Sequence, residues 1–158
     1  MLYQQQKSVD IEQKNTSLII TINFKDYFHE IKSKVTIDID SKVILGAEAQ
    51  MLAVPWDLCY EILPKMEGLV GLRIEKGIKE KVYKLLGGAK GCVHLVDLTI
   101  DSITAVVRLL DFFQMPEELP YKEKMKKIRE INKGVCHTYS SIERNPKLLK
   151  ENYQSQID

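Results

Sequence analysis

Residues 18–25 read Leu-Ile-Ile-Thr-Ile-Asn-Phe-Lys, and this stretch decides the fold. Every second residue is apolar and lies on one side of an extended chain, since side chains alternate between the two faces of a strand. The apolar set is Leu18, Ile20, Ile22 and Phe24. Residues 35–40, Val-Thr-Ile-Asp-Ile-Asp, repeat the pattern. The sequence therefore predicts strands with one buried face and one wet face.

Two neighbouring segments extend this sheet. Asp40-Ser41-Lys42 is a turn signal that leads into a third strand at Val43–Met51. A further short strand is predicted at Ser8–Gln13, with a turn at Gln13–Thr16. Because these connections are short, we expect an N-terminal antiparallel sheet of three or four strands.

The hydrophobic period then changes to that of helices. Pro55 suits the first turn of a helix over Trp56–Leu63, which Pro64 should kink or restart. The apolar run Leu69–Ile74 fits either a strand or a helix. An amphipathic stripe follows, at Ile78, Val82, Leu85 and Leu86, and the glycines at 87 and 88 end it.

Two longer helices are predicted in the second half, at Val93–Gln114 and Tyr121–Asn132. The apolar face of the first comprises Leu95, Leu98, Ile103, Val106, Leu109, Leu110 and Phe113. The predicted strands all precede the predicted helices in the chain. This order indicates an α+β fold, with the sheet packed against the helices that follow it. We expect one domain over residues 1–158, with its core at about 8–140 and a weakly structured tail at 141–158.

Composition narrows the class of protein. The chain has 158 residues, 44% hydrophobic and 28% charged, which excludes a wholly disordered chain, a collagen-like fibre and a membrane bundle. Lysine and arginine number 23 against 22 acidic residues, so the net charge is +1. This balance gives no reason to expect nucleic acid as a partner.

Three cysteines, Cys59, Cys92 and Cys136, leave at least one thiol unpaired, which favours a reducing compartment. The N-terminus has no apolar segment typical of a signal peptide, and no apolar run reaches bilayer length. A cytoplasmic protein without membrane contact is therefore expected.

The segment most informative about chemistry is Gly87-Gly88-Ala89-Lys90-Gly91-Cys92-Val93-His94. It matches no nucleotide-binding loop, but it places Cys92 at the start of a helix, where thiolate is favoured. His94 supplies an imidazole nearby, and Asp97 lies in position to orient it. Cys92 and His94 are therefore candidate catalytic residues of a thiol enzyme, with His137 as the alternative histidine to assist the thiolate. The alternative is that Cys92 is a small buried core residue.

A metal site is another use of these side chains. Cys59, Cys92, His94 and Cys136 make a three-thiolate, one-imidazole set that suits zinc or iron if the fold brings them together. His29, at the tip of the first predicted hairpin, is a further candidate ligand. No CxxC pair makes such a site local in sequence.

An interaction role is the third hypothesis. The helix at Tyr121–Asn132 is rich in lysine and carries Met125, Ile128 and Ile131 on one side. With the sheet, this helix could form a docking or homo-oligomer surface, the cysteines then being core residues. The physiological partner is not indicated by the sequence.

The chain resembles an uncharacterised bacterial family, domain of unknown function 2889. The matching pieces span roughly residues 17–140, and the sharpest of them is Leu85–Leu98. The other pieces are Phe28–Ile31, Val35–Asp38, Ala47–Met51, Pro55–Cys59, Leu69–Gly77 and Asn132–Tyr139. The chain departs from the family pattern at Trp56, where tyrosine is usual, and at Val93, where threonine is frequent.

The resemblance implies no activity, because the family has none assigned. It does place five residues on motif positions: His29, Cys59, Cys92, His94 and Cys136. The leading hypothesis is therefore a small protein with a composite Cys/His site for zinc or iron. The thiol enzyme and the interaction module remain as alternatives.

Overall fold

A computed structural model of the protein describes residues 2–113, 115–116 and 118–141. The chain forms two compact units, which divide between Leu110 and Asp111. The first unit contains the sheet and the residues of the candidate site. The predicted tail at 141–158 lies outside the described residues, apart from Ser141.

The N-terminal part of the chain forms a four-stranded antiparallel sheet. Its strands are β1 (Gln6–Lys14), β2 (Ser17–Lys25), β3 (Glu30–Asp38) and β4 (Ile44–Ala53), and they neighbour one another in chain order. The α+β prediction is confirmed, and the sheet has the larger of the two expected strand numbers. Asn15 closes the first hairpin with a φ of 54°, a conformation that asparagine tolerates better than most residues.

The register of β2 and β3 builds the core. Leu18 pairs with Ile37 and Ile20 pairs with Val35, and all four side chains are completely buried. Paired residues share a face, so the alternation in the sequence becomes one continuous apolar surface. Each such side chain stabilises the fold by about 1.5–3 kcal/mol relative to an exposed position.

The segment after β4 differs from its prediction. It forms one 3₁₀ helix, Asp57–Leu69, that includes Pro64 and continues past Leu63, where the predicted helix ends. Its buried residues Ile62, Met66 and Leu69 pack the helix towards the interior, and it contacts β4. This tertiary burial outweighs the local preference for a break at proline.

The segment Leu69–Ile74, whose sequence fits either a strand or a helix, pairs with the start of β4. Val43 and Arg73 form an antiparallel bridge, and the Ile44 N–H donates to the carbonyl of Leu72 at 2.9 Å. The segment is thus extended, and it turns at Gly71, whose φ is 87°.

Two predicted helices complete the first unit. Helix α1 spans Ile78–Leu86, and α2 spans Val93–Phe113, of which residues 93–110 belong to the first unit. Of the apolar face predicted for α2, five residues are buried: Leu95, Leu98, Ile103, Val106 and Leu110. Lys7 of β1 forms an ion pair with Asp101 of α2 at 2.5 Å, which shows that α2 lies against the sheet. Gln114, the predicted last residue of α2, and the side chain of Phe113 lie outside the described parts.

The second unit contains α3 (Tyr121–Asn132) and α4 (His137–Ser141). Helix α3 has the predicted bounds, and Met125 and Ile128 on its apolar side are half-buried, whereas Ile131 is exposed. Among the described helices, none has the length and apolar character needed to cross a membrane.

Candidate metal site

The turn between β2 and β3 supplies two of the three residues of the site. Oδ1 of Asp26 accepts hydrogen bonds from the backbone N–H of Phe28 at 2.8 Å and of His29 at 2.6 Å. The Asp26 N–H in turn donates to the carbonyl of His29 at 2.9 Å. An aspartate at the first position of a turn commonly holds it in this way. The turn thereby fixes the His29 ring beside the Asp26 carboxylate, with Nδ1 3.1 Å from Oδ1.

The glycine-rich turn before α2 positions the third residue, His94. A Cβ at Gly91 would lie 2.1 Å from the carbonyl oxygen of Leu86, so only glycine fits there. This close approach allows the Cys92 N–H to donate to the same Leu86 carbonyl at 2.7 Å, which sets where α2 begins. His94 then lies in the first turn of α2, and its ring contacts that of Phe24 at a centroid distance of 5.3 Å.

The fold brings Asp26, His29 and His94 together. One potential ligand atom from each residue lies within 4.8 Å of the other two. Nε2 of His94 is 4.0 Å from Oδ2 of Asp26, and the two imidazole rings are 4.2 Å apart between centroids. These side chains are largely shielded from solvent, and their exposed fractions are 4% for Asp26, 16% for His29 and 26% for His94.

Asp26 is held as a carboxylate. Burial by itself raises the pKa of Asp26, but hydrogen bonds oppose it: two from the backbone, one from Tyr3 and one from His29. Their combined effect lowers the pKa from 3.8 to about 2. Asp26 is therefore ionised at every physiological pH and keeps an anionic oxygen facing the imidazoles.

His94 is held neutral. Burial of the ring and the neighbouring His29 lower the pKa of His94, and together they outweigh the opposite effects of Asp26 and Asp97. Its contact with Asp26 is therefore not an ion pair at neutral pH. A neutral imidazole is the form of histidine that binds metal ions.

The family model for Protein of unknown function (DUF2889) matches residues 5–108, about two thirds of the chain. The chain belongs to that family. Comparisons with curated proteins and with solved structures give no match. All three residues of the site lie within the DUF2889 match.

The predicted site residues fall into separate groups. His29 and His94 are close together, and Cys92 lies next to them, with Sγ 4.0 Å from Nδ1 of His94. Cys59 is in the 3₁₀ helix and outside the Asp/His group. Cys136 belongs to the second unit and to a segment that the DUF2889 match does not include. All three cysteines are free and half-buried.

Sequence reasoning missed Asp26 and Tyr3. Tyr3 donates a hydrogen bond from Oη to Oδ2 of Asp26 at 2.9 Å, and this bond raises the pKa of Tyr3. The signal for Asp26 was present, because an aspartate three residues before a histidine between two strands is typical of a side-chain-capped turn. Tyr3 has no such signal, since its contact depends on how the N-terminal segment crosses the end of the sheet.

Proposed function

We propose that the protein binds a transition-metal ion, zinc or iron, through Asp26, His29 and His94. The observation that carries this proposal is the convergence of one carboxylate and two imidazoles within 4.8 Å. Two histidines and one carboxylate are a ligand set that proteins use for both zinc and non-haem iron.

The separations of the donor atoms support the proposal. Ligand atoms about 2.1 Å from a shared ion lie roughly 3–4 Å from one another. The pairs His29 Nδ1–Asp26 Oδ1 and His94 Nε2–Asp26 Oδ2 are 3.1 and 4.0 Å apart. Both separations fall within this range, although they involve the two different oxygens of the Asp26 carboxylate.

Protonation states also favour binding. A side chain binds a metal ion only through a deprotonated donor atom. Protons therefore compete with the ion for any donor that is protonated at the working pH. Asp26 is anionic, and His94 has a pKa below its ordinary value of 6.5. At neutral pH these two donors are thus available with no proton to displace.

Three protein ligands leave coordination positions for water or a substrate. A cavity of about 130 Å³ lies beside His94 and is lined by Phe24, Leu98, Lys7 and Asp97, among others. Its size suits water or a ligand of a few heavy atoms, and its lining combines apolar and charged groups. The cavity adjoins the site through His94, the one residue of the site among those that line it.

Metal analysis of the purified protein tests the proposal. Elemental analysis after anaerobic purification, and again after reconstitution with zinc or ferrous iron, should find about one ion per chain. His94→Gln and Asp26→Asn should lose it. His137→Gln is the matched control, because His137 is the remaining histidine and lies in the second unit. Absence of stoichiometric metal after reconstitution, or equal loss in the control, would refute the proposal.

A second candidate function uses the thiol of Cys92. Its Sγ lies 4.0 Å from Nδ1 of His94, while the other ring nitrogen faces Asp26. This order of thiol, imidazole and carboxylate is the arrangement that activates a cysteine nucleophile.

Alkylation kinetics distinguish this candidate from the first. If His94 activates the thiol, Cys92 in metal-free protein should react with iodoacetamide several-fold faster than in His94→Gln. Equal rates in the two proteins would exclude the thiol function and leave the metal proposal untouched.

A further inference from the structure

The phenol of Tyr3 lies at the edge of the candidate metal site. Its Oη is 2.9 Å from Oδ2 of Asp26, the same oxygen that faces Nε2 of His94 at 4.0 Å. Tyr3 thus places a fourth potential ligand, a phenol oxygen, next to the carboxylate of Asp26.

We infer that Tyr3 is the fourth protein ligand of this site and that the complete set, Asp26, His29, His94 and Tyr3, binds ferric iron. This inference rests on the proposed metal function and names the metal within it. Coordination replaces the hydrogen bond from Oη to Asp26: the O–H bond breaks, an oxygen–iron bond forms, and the proton goes to solvent.

The distance between the two oxygens fits this role. Ligands at right angles around an ion, each with a bond of about 2.0–2.1 Å, are about 2.9 Å apart. Oη of Tyr3 and Oδ2 of Asp26 have this separation before any ion enters. The two oxygens therefore need no rearrangement relative to each other to become adjacent ligands.

The donor set also favours iron over zinc. Carboxylate and phenolate are hard anionic oxygens, and tyrosine is a known axial ligand of haem iron. A site with two such oxygens and two imidazoles carries two negative charges, which a trivalent ion compensates most completely. None of the cysteines, whose soft thiolates suit zinc, belongs to the Asp26/His29/His94 group.

The position of Tyr3 in the chain leaves it free to adjust. It precedes β1, in a segment without strand pairing, and its side chain is about half exposed. It also lies just before the DUF2889 match, which begins at residue 5. The three-residue site therefore lies within the family segment, and the fourth ligand lies outside it.

Visible absorption with added ferric iron tests the inference. One equivalent of ferric nitrilotriacetate is added to metal-free protein in air, and unbound iron is removed by gel filtration. A phenolate–iron(III) bond should give a visible charge-transfer band, with tyrosinate ring modes enhanced in the resonance Raman spectrum.

Tyr3→Phe should abolish this band and weaken ferric binding in competition with nitrilotriacetate by about tenfold or more. Its zinc affinity should change by less than that. Tyr27→Phe is the matched control, because Tyr27 lies in the same turn as Asp26 and His29 but is exposed. The control should keep the band, and circular dichroism should show that both variants fold.

The possible failures are distinct. If iron binds without a visible band, or the band survives in Tyr3→Phe, Tyr3 is not a ligand, and the three-residue site stands. If zinc binds and ferric iron does not, the assignment of iron is wrong. If neither metal binds, the proposed function itself fails.

Discussion

Asp26→Asn should destabilise the protein in a pH-dependent way. In the native state Oδ1 accepts the N–H groups of Phe28 and His29, and Oδ2 accepts the hydroxyl of Tyr3. Asparagine keeps one acceptor oxygen and loses the charge. If that oxygen accepts from the turn, the Tyr3 hydroxyl faces the NH₂ group of the amide and loses its acceptor. Charge-assisted bonds are the stronger kind, so the loss should be measurable.

The pKa of Asp26 sets the size and the sign of the effect. A native pKa of about 2 against 3.8 in the unfolded chain amounts to about 2 kcal/mol, at about 1.4 kcal/mol per pKa unit. Since the native pKa is the lower one, this stabilisation is complete above pH 3.8 and disappears as the pH falls towards 2. The difference between wild type and variant should therefore be about 2 kcal/mol near neutral pH and small near pH 2.

Urea denaturation at a series of pH values, with a chelator present to exclude metal effects, measures this difference. Asp10→Asn is the control, because it removes one aspartate charge at an exposed position of β1. Its stability difference from wild type should stay within about 0.5 kcal/mol. An Asp26→Asn difference that is independent of pH, or no larger than that of the control, would refute this account of the turn.

Three further predictions concern the scaffold. Gly91→Ala should cost about 1–3 kcal/mol and lower metal occupancy, because its Cβ overlaps a backbone carbonyl, whereas Gly46→Ala, whose Cβ would make only ordinary contacts at 3.8 Å with Thr36, should keep the metal. Thermal unfolding and metal analysis compare the two. Leu18→Ala, at a completely buried position, should cost about 2–5 kcal/mol in urea denaturation, and Leu45→Ala, at an exposed one, much less. Backbone N–H groups lower the pKa of Cys136, so its thiol should be alkylated at a lower pH than the thiol of cysteine in an unstructured peptide. Mass spectrometry of labelled peptides would show the difference.

Regular patterns made most of the fold predictable. Strand alternation and helical stripes reflect burial on one face, which acts over a few residues and is visible in the sequence. Helix α3 and β2 follow such patterns closely. The helix predicted to reach Leu63 instead continues to Leu69, because the burial of Met66 and Leu69 in the interior outweighs the local effect of Pro64.

The candidate site was predictable only in part. His29 and His94 were chosen as candidate ligands, but their proximity depends on how α2 lies against the end of the sheet. No spacing in the sequence indicates that contact, because the two residues belong to elements far apart in the chain. Asp26 contributes to the site through a turn that its own carboxylate holds, and the cysteine and histidine pattern does not reveal this role.

The site joins a local element to a distant one, and the metal binding proposed above would therefore depend on folding. Asp26 and His29 are held by their own hairpin turn, so they can approach each other without the rest of the fold. His94 reaches them only when α2 is docked on the sheet, and the contact of its ring with Phe24 reports that docking. An ion bound by all three residues is therefore bound only by the folded first unit. It stabilises that unit by about 2.7 kcal/mol at a free concentration one hundred times its dissociation constant. Because acid protonates His94 before Asp26, lowering the pH should release the ion while the hydrogen bonds of the turn are still intact.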